Sequence, residues 1–458
     1  MSLSGIRPAV ARIGRRLYSA QASAVRKGEE ASSLPKQDVV VSKLDNGLTV
    51  ASLDNYSPVS KVSVVINAGA RYETAENLGI THCLRTFANL TSKGATTFGI
   101  SRGLEDIGAS LETTCTREHM IYKIQCLRDH LDTACHYLTN ITTGQEFRTW
   151  EVKDNRYRLQ MDLAQRNSDL VLDVIEGLHA VSFRSSLGQS LFSPDFMISK
   201  INSQMLHDFV EKFYVTGNMA LVGVGVDHND LRAFGEKMPL REGDAAAKVA
   251  SKYHGGHEIR NHTDSSLAFA AFGVEGASLS SKDLLTAGVL QHLMGAGQYV
   301  KWGSNIASSR LNKSASKASP LPSTTNCFNL AYSDAGLFGV FAIAQAQDMN
   351  PILKSVVGEV RAATKGTIDP KELQRAKNQL KSSILMDYEN QDTVLEDIAV
   401  QALVSGSFKA VSEVIADIDA ITADDAAKVV KKMFSGKPSM AVSGNLSNTG
   451  YLDELLSA

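Results

Sequence analysis

Gly79-Ile80-Thr81-His82-Cys83-Leu84-Arg85-Thr86 is the stretch on which the reading of this chain turns. Ile80, Cys83, Leu84 and Phe87 recur at three- and four-residue spacing, the period of a helix with one buried face, and the spacing predicts a helix from about Glu76 to Leu90. Before it, Val62 to Ala68 is an apolar run of strand length. Further upstream, Lys43-Leu44-Asp45-Asn46-Gly47-Leu48-Thr49-Val50 reads as strand, turn, strand, with Asn46-Gly47 as the turn.

The second half of the chain repeats this plan. Ser266 to Gly273 is an apolar strand, and Lys282 to Met294 a helix whose buried side carries Leu284, Leu285, Val289 and Leu293. Helices from Ser203 to Phe213 and from Thr422 to Phe434, with Ser203 and Thr422 as N-caps, each precede a strand, Met219 to Val226 and Ser439 to Ser443. Two further helical regions, Glu151 to Gln165 and Pro370 to Tyr388, lie between, the latter with Leu373, Ala376, Leu380 and Ile384 on one face. The economical fold class is α+β, two tandem similar domains related by internal duplication. The boundaries expected are a first domain at 40–238, a linker at 239–256 rich in glycine, alanine and charge, and a second domain at 257–458.

Composition narrows the function classes. A formal net charge of -2 gives no electrostatic case for nucleic acid. The longest apolar runs are far shorter than the roughly 18–20 residues that span a bilayer, so membrane contact is expected only through partners. Five cysteines without a C-x-x-C pair suit buried free thiols, and exclude a haem attachment motif or an iron–sulfur set. Residues 1–28 contain Arg7, Arg12, Arg15, Arg16, Arg26 and Lys27 and no acid, the composition of a mitochondrial transit peptide. Arg16-Leu17-Tyr18-Ser19 resembles a matrix processing site, with cleavage between Tyr18 and Ser19, a transit peptide at 1–18 and an extension at 19–39.

The central helix carries the chemistry. In the inverted zinc motif H-x-x-E-H, histidines at i and i+4 share one helix face and grip Zn²⁺, while the glutamate serves as general base for the bound water. Here His82 fills the first slot, Arg85 stands in place of the glutamate and Thr86 in place of the second histidine. A stable zinc site needs three or four deprotonated donors, and a guanidinium a few ångströms from a divalent ion adds a repulsion of several kcal/mol even at an effective dielectric near 20. His82 is therefore expected to be a hydrogen-bonded histidine at the edge of the helix face, and Arg85 to pair with an acid or contact a partner.

Together with Leu44 to Leu48, Gly69-Ala70-Arg71-Tyr72-Glu73 and Leu90-Thr91-Ser92-Lys93-Gly94-Ala95-Thr96, this helix resembles the pitrilysin/insulinase family of metalloproteases. Within it the chain is most similar to the mitochondrial processing peptidase and the respiratory core proteins, from about residue 40 onward. An active member supplies a glutamate as third ligand roughly 75 residues after the second histidine slot; the local sequence offers Gln160 and Asp162 instead. The resemblance thus implies a degenerate motif at His82, Arg85, Thr86, Gln160 and Asp162, no catalytic residue, no metal and no cofactor. It implies a structural subunit of the ubiquinol–cytochrome c reductase, peripheral on the matrix side of the mitochondrial inner membrane. Its partners would be core protein 1, cytochrome b, cytochrome c1 and the Rieske protein, with a cleft able to hold a cleaved presequence peptide.

The alternative within the family is a non-catalytic, presequence-binding α subunit of the processing peptidase. That subunit uses a glycine-rich loop, and Gly295 to Ser304 is the matching region; here Tyr299, Lys301 and Trp302 dilute the glycines, which argues against presequence capture. The loop matches neither nucleotide-binding glycine pattern. His254, His257 and His262 have no metal-ligand spacing and are expected in a solvated loop.

Overall fold

The computed structural model describes residues 38–245, 248–262, 265–297, 309–365 and 368–457. The expected transit peptide, the Tyr18–Ser19 cleavage site and residues 298–304 of the glycine loop lie outside the described residues. The first half holds strands β1 (Val40–Lys43), β2 (Thr49–Leu53), β3 (Val59–Ile66), β4 (Ser110–Cys115), β5 (Met120–Leu127) and β6 (Met219–Val224). Its helices are α1 (Ile80–Thr86), α2 (Thr97–Asp106), α3 (Leu131–Thr143), α4 (Thr149–Asp154), α5 (Arg156–Ser168), α6 (Leu170–Phe183), α7 (Asp195–Ile198), α8 (Ser203–Phe213) and α9 (His228–Lys237). The second half holds β7 (Gly256–Asn261), β8 (Leu267–Glu275), β9 (Thr324–Ala331), β10 (Gly336–Gln345) and β11 (Ser439–Gly444). Its helices are α10 (Leu284–Met294), α11 (Arg310–Ala318), α12 (Met349–Lys365), α13 (Pro370–Asp387), α14 (Gln391–Ser405), α15 (Val411–Ala420), α16 (Ala423–Met433) and α17 (Leu452–Ser457).

The two sheets have the same wiring. The first runs β1-β2-β6-β3-β5-β4 and the second β7-β11-β8-β10-β9, so every strand after β1 has a counterpart in the same place. In each, one pair is parallel, β2 with β6 and β7 with β11, and the rest are antiparallel. The duplication read from the sequence is present strand by strand. Helix α1 is shorter than the expected Glu76–Leu90 span, at seven residues. Gly79 enters it at a φ of +79°, and a Cβ there would lie 2.2 Å from the Cα of Ser193, so both the backbone turn and the close approach require glycine. Asn202, not Ser203, caps α8, accepting from the Met205 amide at 3.0 Å. Thr422 caps α16 as expected, in a reciprocal box with Asp425.

Each sheet is covered on one side by a helix of the other half. Val174 and Leu178 of α6 pack on Ala271, Leu337 and Ala441 of the second sheet. Val394, Leu395, Ile398, Ala399 and Ala402 of α14 pack on Ala51, Val65, Ile121, Ala220 and Val222 of the first. Period-2 alternation in β3 explains the two-sided burial: Val62, Val64 and Ile66 face the first half's own helices, while Val65 meets α14. An aspartate pins each exchanged helix. Asp392 of α14 binds Lys61 at 2.6 Å and Lys123 at 3.0 Å. Asp173 of α6 binds Arg166 at 3.0 Å, Arg260, and the Ser443 hydroxyl at 2.9 Å.

A third joint is Arg71, whose side chain is only 1% exposed; it reaches Glu118 at 2.5 Å and Asp334 of the β9–β10 turn at 2.6 Å. It also donates to the Val249 carbonyl at 2.7 Å. Asp38 onward thus forms one compact unit. The expectation of a solvated loop is corrected for His257, which lies in β7 with its ring edge-on to Tyr451 at 6.0 Å, whereas His254 precedes that strand in a loop and His262 follows it, exposed. All five cysteines are buried and stand as free thiols. No helix among the described residues is long and apolar enough to cross a membrane.

Candidate functional site: a zinc motif held shut by an arginine

Helix α1 follows β3 across residues 67–79, which include a 3-10 turn at Ala70–Tyr72, and is anchored at its start by Glu73. That carboxylate accepts from the Gly79 amide at 2.7 Å, the Thr81 amide at 3.0 Å and the Thr81 hydroxyl at 2.6 Å. Burial pushes the Glu73 pKa up to about 7 against these bonds. The anchoring aims one face of α1 at α5, and the seam between them holds the degenerate motif.

His82 is fully buried, which corrects its expected place at the helix edge. Its Nδ1 accepts from the Ser193 backbone N–H at 3.2 Å. Its Nε2 lies 3.1 Å from Oδ2 of Asp162 on α5. Burial drives the imidazole pKa down to about 4, with the Asp162 bond opposing and the Arg85 charge assisting. At neutral pH the ring is uncharged and holds a single proton, on one of its two nitrogens.

Arg85, one turn on, donates through Nη2 to the same Asp162 oxygen at 3.1 Å. The guanidinium lies over the Phe192 ring at 5.6 Å, and the His82 ring meets that ring edge-on at 5.4 Å. The expectation that Arg85 pairs with an acid is met by Asp162. Thr86 turns back: its hydroxyl donates to the His82 carbonyl at 2.9 Å, an ordinary i−4 bond. Gln160 is exposed, because two residues along α5 turn it away from the Asp162 face. Of the five motif positions, three converge and two do not.

These residues do not fit a zinc ion. The donors that converge are one imidazole and one carboxylate, and the carboxylate is already shared by two hydrogen-bond donors, one of them a cation. Among the described residues no three histidine, cysteine or acidic side chains come together as a metal would need. Arg85, a permanent cation, stands where the motif would place its general base. Outside it lies a groove of about 690 Å³ lined by Arg85, Thr86, Leu111, Arg158, Met161 and Asp162. Sequence reasoning located His82, Arg85 and Asp162 but had no signal for Phe192 and Ser193. They come from a loop more than a hundred residues away, and no spacing rule links it to α1.

Comparison with known proteins places this geometry. Residues 49–195 match the insulinase family, peptidase family M16, and residues 200–380 match the peptidase M16 inactive domain. The chain is 42% identical to the human mitochondrial cytochrome b-c1 complex subunit 2, over 92% of each chain. It is 39% identical to the rat protein of the same name, over 96% of this chain and 98% of that one. A mitochondrial-processing peptidase subunit alpha of Solanum tuberosum is more distant, at 29% over 91% of this chain and 84% of that one. Among solved structures, a chain of "Complex III2 from Candida albicans, Inz-5 bound" superposes with a TM-score of 0.80 at 19% identity, covering 91% of this chain and 99% of that chain, a likeness of fold. Duplicated sheets, a motif helix behind β3 and a degenerate donor set thus meet in one lineage: the chain belongs to the insulinase family, peptidase family M16, and is similar along nearly its whole length to the cytochrome b-c1 complex subunit 2 proteins.

Proposed function

We infer that this chain is a non-catalytic structural subunit of the mitochondrial cytochrome b-c1 complex, supporting electron transfer from ubiquinol to cytochrome c without a redox centre or peptidase activity of its own. The observation that carries this is full-length similarity to subunit 2 proteins joined to a motif whose donors are spent on Arg85. Its partners are core protein 1, cytochrome b, cytochrome c1 and the Rieske protein. Its place is peripheral, on the matrix side of the inner membrane, reached after removal of residues 1–18. Residues 40–238 and 257–458 make up its two tandem domains, joined by 239–256, a division supported by the shared strand order.

The lower identity to processing-peptidase α subunits and the diluted glycine loop disfavour the presequence-binding alternative. The test is native electrophoresis of detergent-solubilised mitochondria, with haem staining and mass spectrometry of this chain. Co-migration with a haem-bearing membrane complex is expected, along with loss of that complex on depletion. Recovery only as a small soluble heterodimer with a zinc-bearing partner would overturn the assignment.

A further inference from the structure

We propose that the Ser193 backbone amide locks His82 in the Nε2–H tautomer, so that the zinc motif is disabled in its wiring as well as in its donors. The inference rests on the non-catalytic reading and says why a repaired motif would still fail. The Ser193 N–H points at Nδ1 from 3.2 Å. A proton on Nδ1 would face a second donor there, leaving both unpaired in a fully buried place. The ring proton is therefore on Nε2, directed at Asp162 Oδ2. A metal-ligating imidazole needs the reverse when Nε2 is the ligand: a lone pair on Nε2 and an Nδ1–H given to an acceptor.

The amide cannot easily withdraw. Ser193 is itself fully buried, and its Cα lies 2.2 Å from where a Gly79 Cβ would be, so this loop and the start of α1 are in direct backbone contact. Pro194 follows and restricts the Ser193 backbone to extended conformations. Turning the ring by half a turn puts carbon atoms where Ser193 and Asp162 expect nitrogen. The Phe192 ring also lies against it. The result is a relay in which the Ser193 N–H donates to the ring, and the ring and Arg85 both donate to Asp162.

The first test uses the full wild-type chain labelled with ¹⁵N-histidine, reading the His82 ring nitrogens by NMR at neutral pH. Protonated Nε2 with unprotonated Nδ1 is expected; protonated Nδ1 would overturn the proposal. The second is zinc titration by calorimetry of Arg85→Glu/Thr86→His, which restores the motif's nominal residues beside Asp162. Weak or undetectable binding is expected, with a gain of roughly 10–100-fold when Ser193→Pro removes the amide proton. One zinc per chain bound by the double variant as tightly as by the triple would overturn the proposal. If the triple variant does not fold, the wild-type ring measurement decides alone. An Nδ1 proton would leave the non-catalytic reading intact, since Arg85 still fills the site. Absence from the haem-bearing complex would sink that reading and leave the tautomer untouched.

Discussion

Helices α1 and α10 occupy equivalent places, each following the corresponding strand of its sheet, β3 or β8, and each packed on a later helix, α5 or α13. Their seams differ in kind. On α10, Ala287, Val289, Leu290 and Leu293 are buried, and Gly288 lets Leu380 of α13 approach closely. On α1, the equivalent seam is His82, Arg85 and Asp162. One architecture tolerates both, so the polar seam is not what the fold requires. The polar groups that converge there are spent on one another, His82 and Arg85 both reaching Asp162 Oδ2.

That contrast can be broken at graded cost. The largest effect is expected where the halves meet and neither seam is involved. Arg71→Ala strands Glu118 and Asp334 and should cost about 3–5 kcal/mol in urea unfolding. In the apolar seam, Leu293→Ala should cost about 3 kcal/mol, within a range of roughly 2–5 set by how far the cavity collapses, read in the same way.

In the polar seam the signature is pH. The His82 pKa is depressed to about 4, so its contribution is intact above about 6.5 and withdrawn as pH falls towards 4, by at most about 3 kcal/mol. Glu73, raised to about 7, acts in the opposite sense, its contribution present below about 4.5 and lost as pH rises towards 7. Comparing wild type with His82→Gln cancels Glu73, because glutamine can still accept from Ser193 and donate to Asp162. The wild type should lose stability more steeply between pH 6.5 and 4.5, and parallel curves would contradict the depressed imidazole.

Thr422→Ala and Asn202→Ala probe the likeness of the halves instead. These caps sit on equivalent helices and should each cost about 1 kcal/mol, measured as a lowered unfolding midpoint. The smallest effect belongs to Arg85→Ala. The Asp162 side chain is 37% exposed and that of Arg85 27%, so solvent screening holds the cost to about 1 kcal/mol or less.

Much of this was legible in the sequence because it is written in short-range patterns. The apolar period gave α10 and α13, Asn46-Gly47 gave the turn before β2, and the repeated order gave the duplicated sheets. Within the motif, His82 and Arg85 followed from i, i+3 spacing, and Asp162 from its expected distance along the chain. What escaped depends on packing between distant segments. The exchange of α6 and α14 leaves no local mark, since a helix with one apolar stripe reads alike whichever sheet it covers. The short α1 escaped because the apolar spacing continues past Phe87, whereas the left-handed entry at Gly79 is set by contact with Ser193. Asn202 lost out to Ser203 because capping residues adjacent in sequence cannot be ranked by type alone.

The most direct measurement is the zinc-to-protein ratio of this chain isolated from its membrane complex without chelator. With Arg85 filling the seam, the ratio should be far below one and unchanged by His82→Gln. One zinc per chain, lost in that variant, would show that the seam is a metal centre after all.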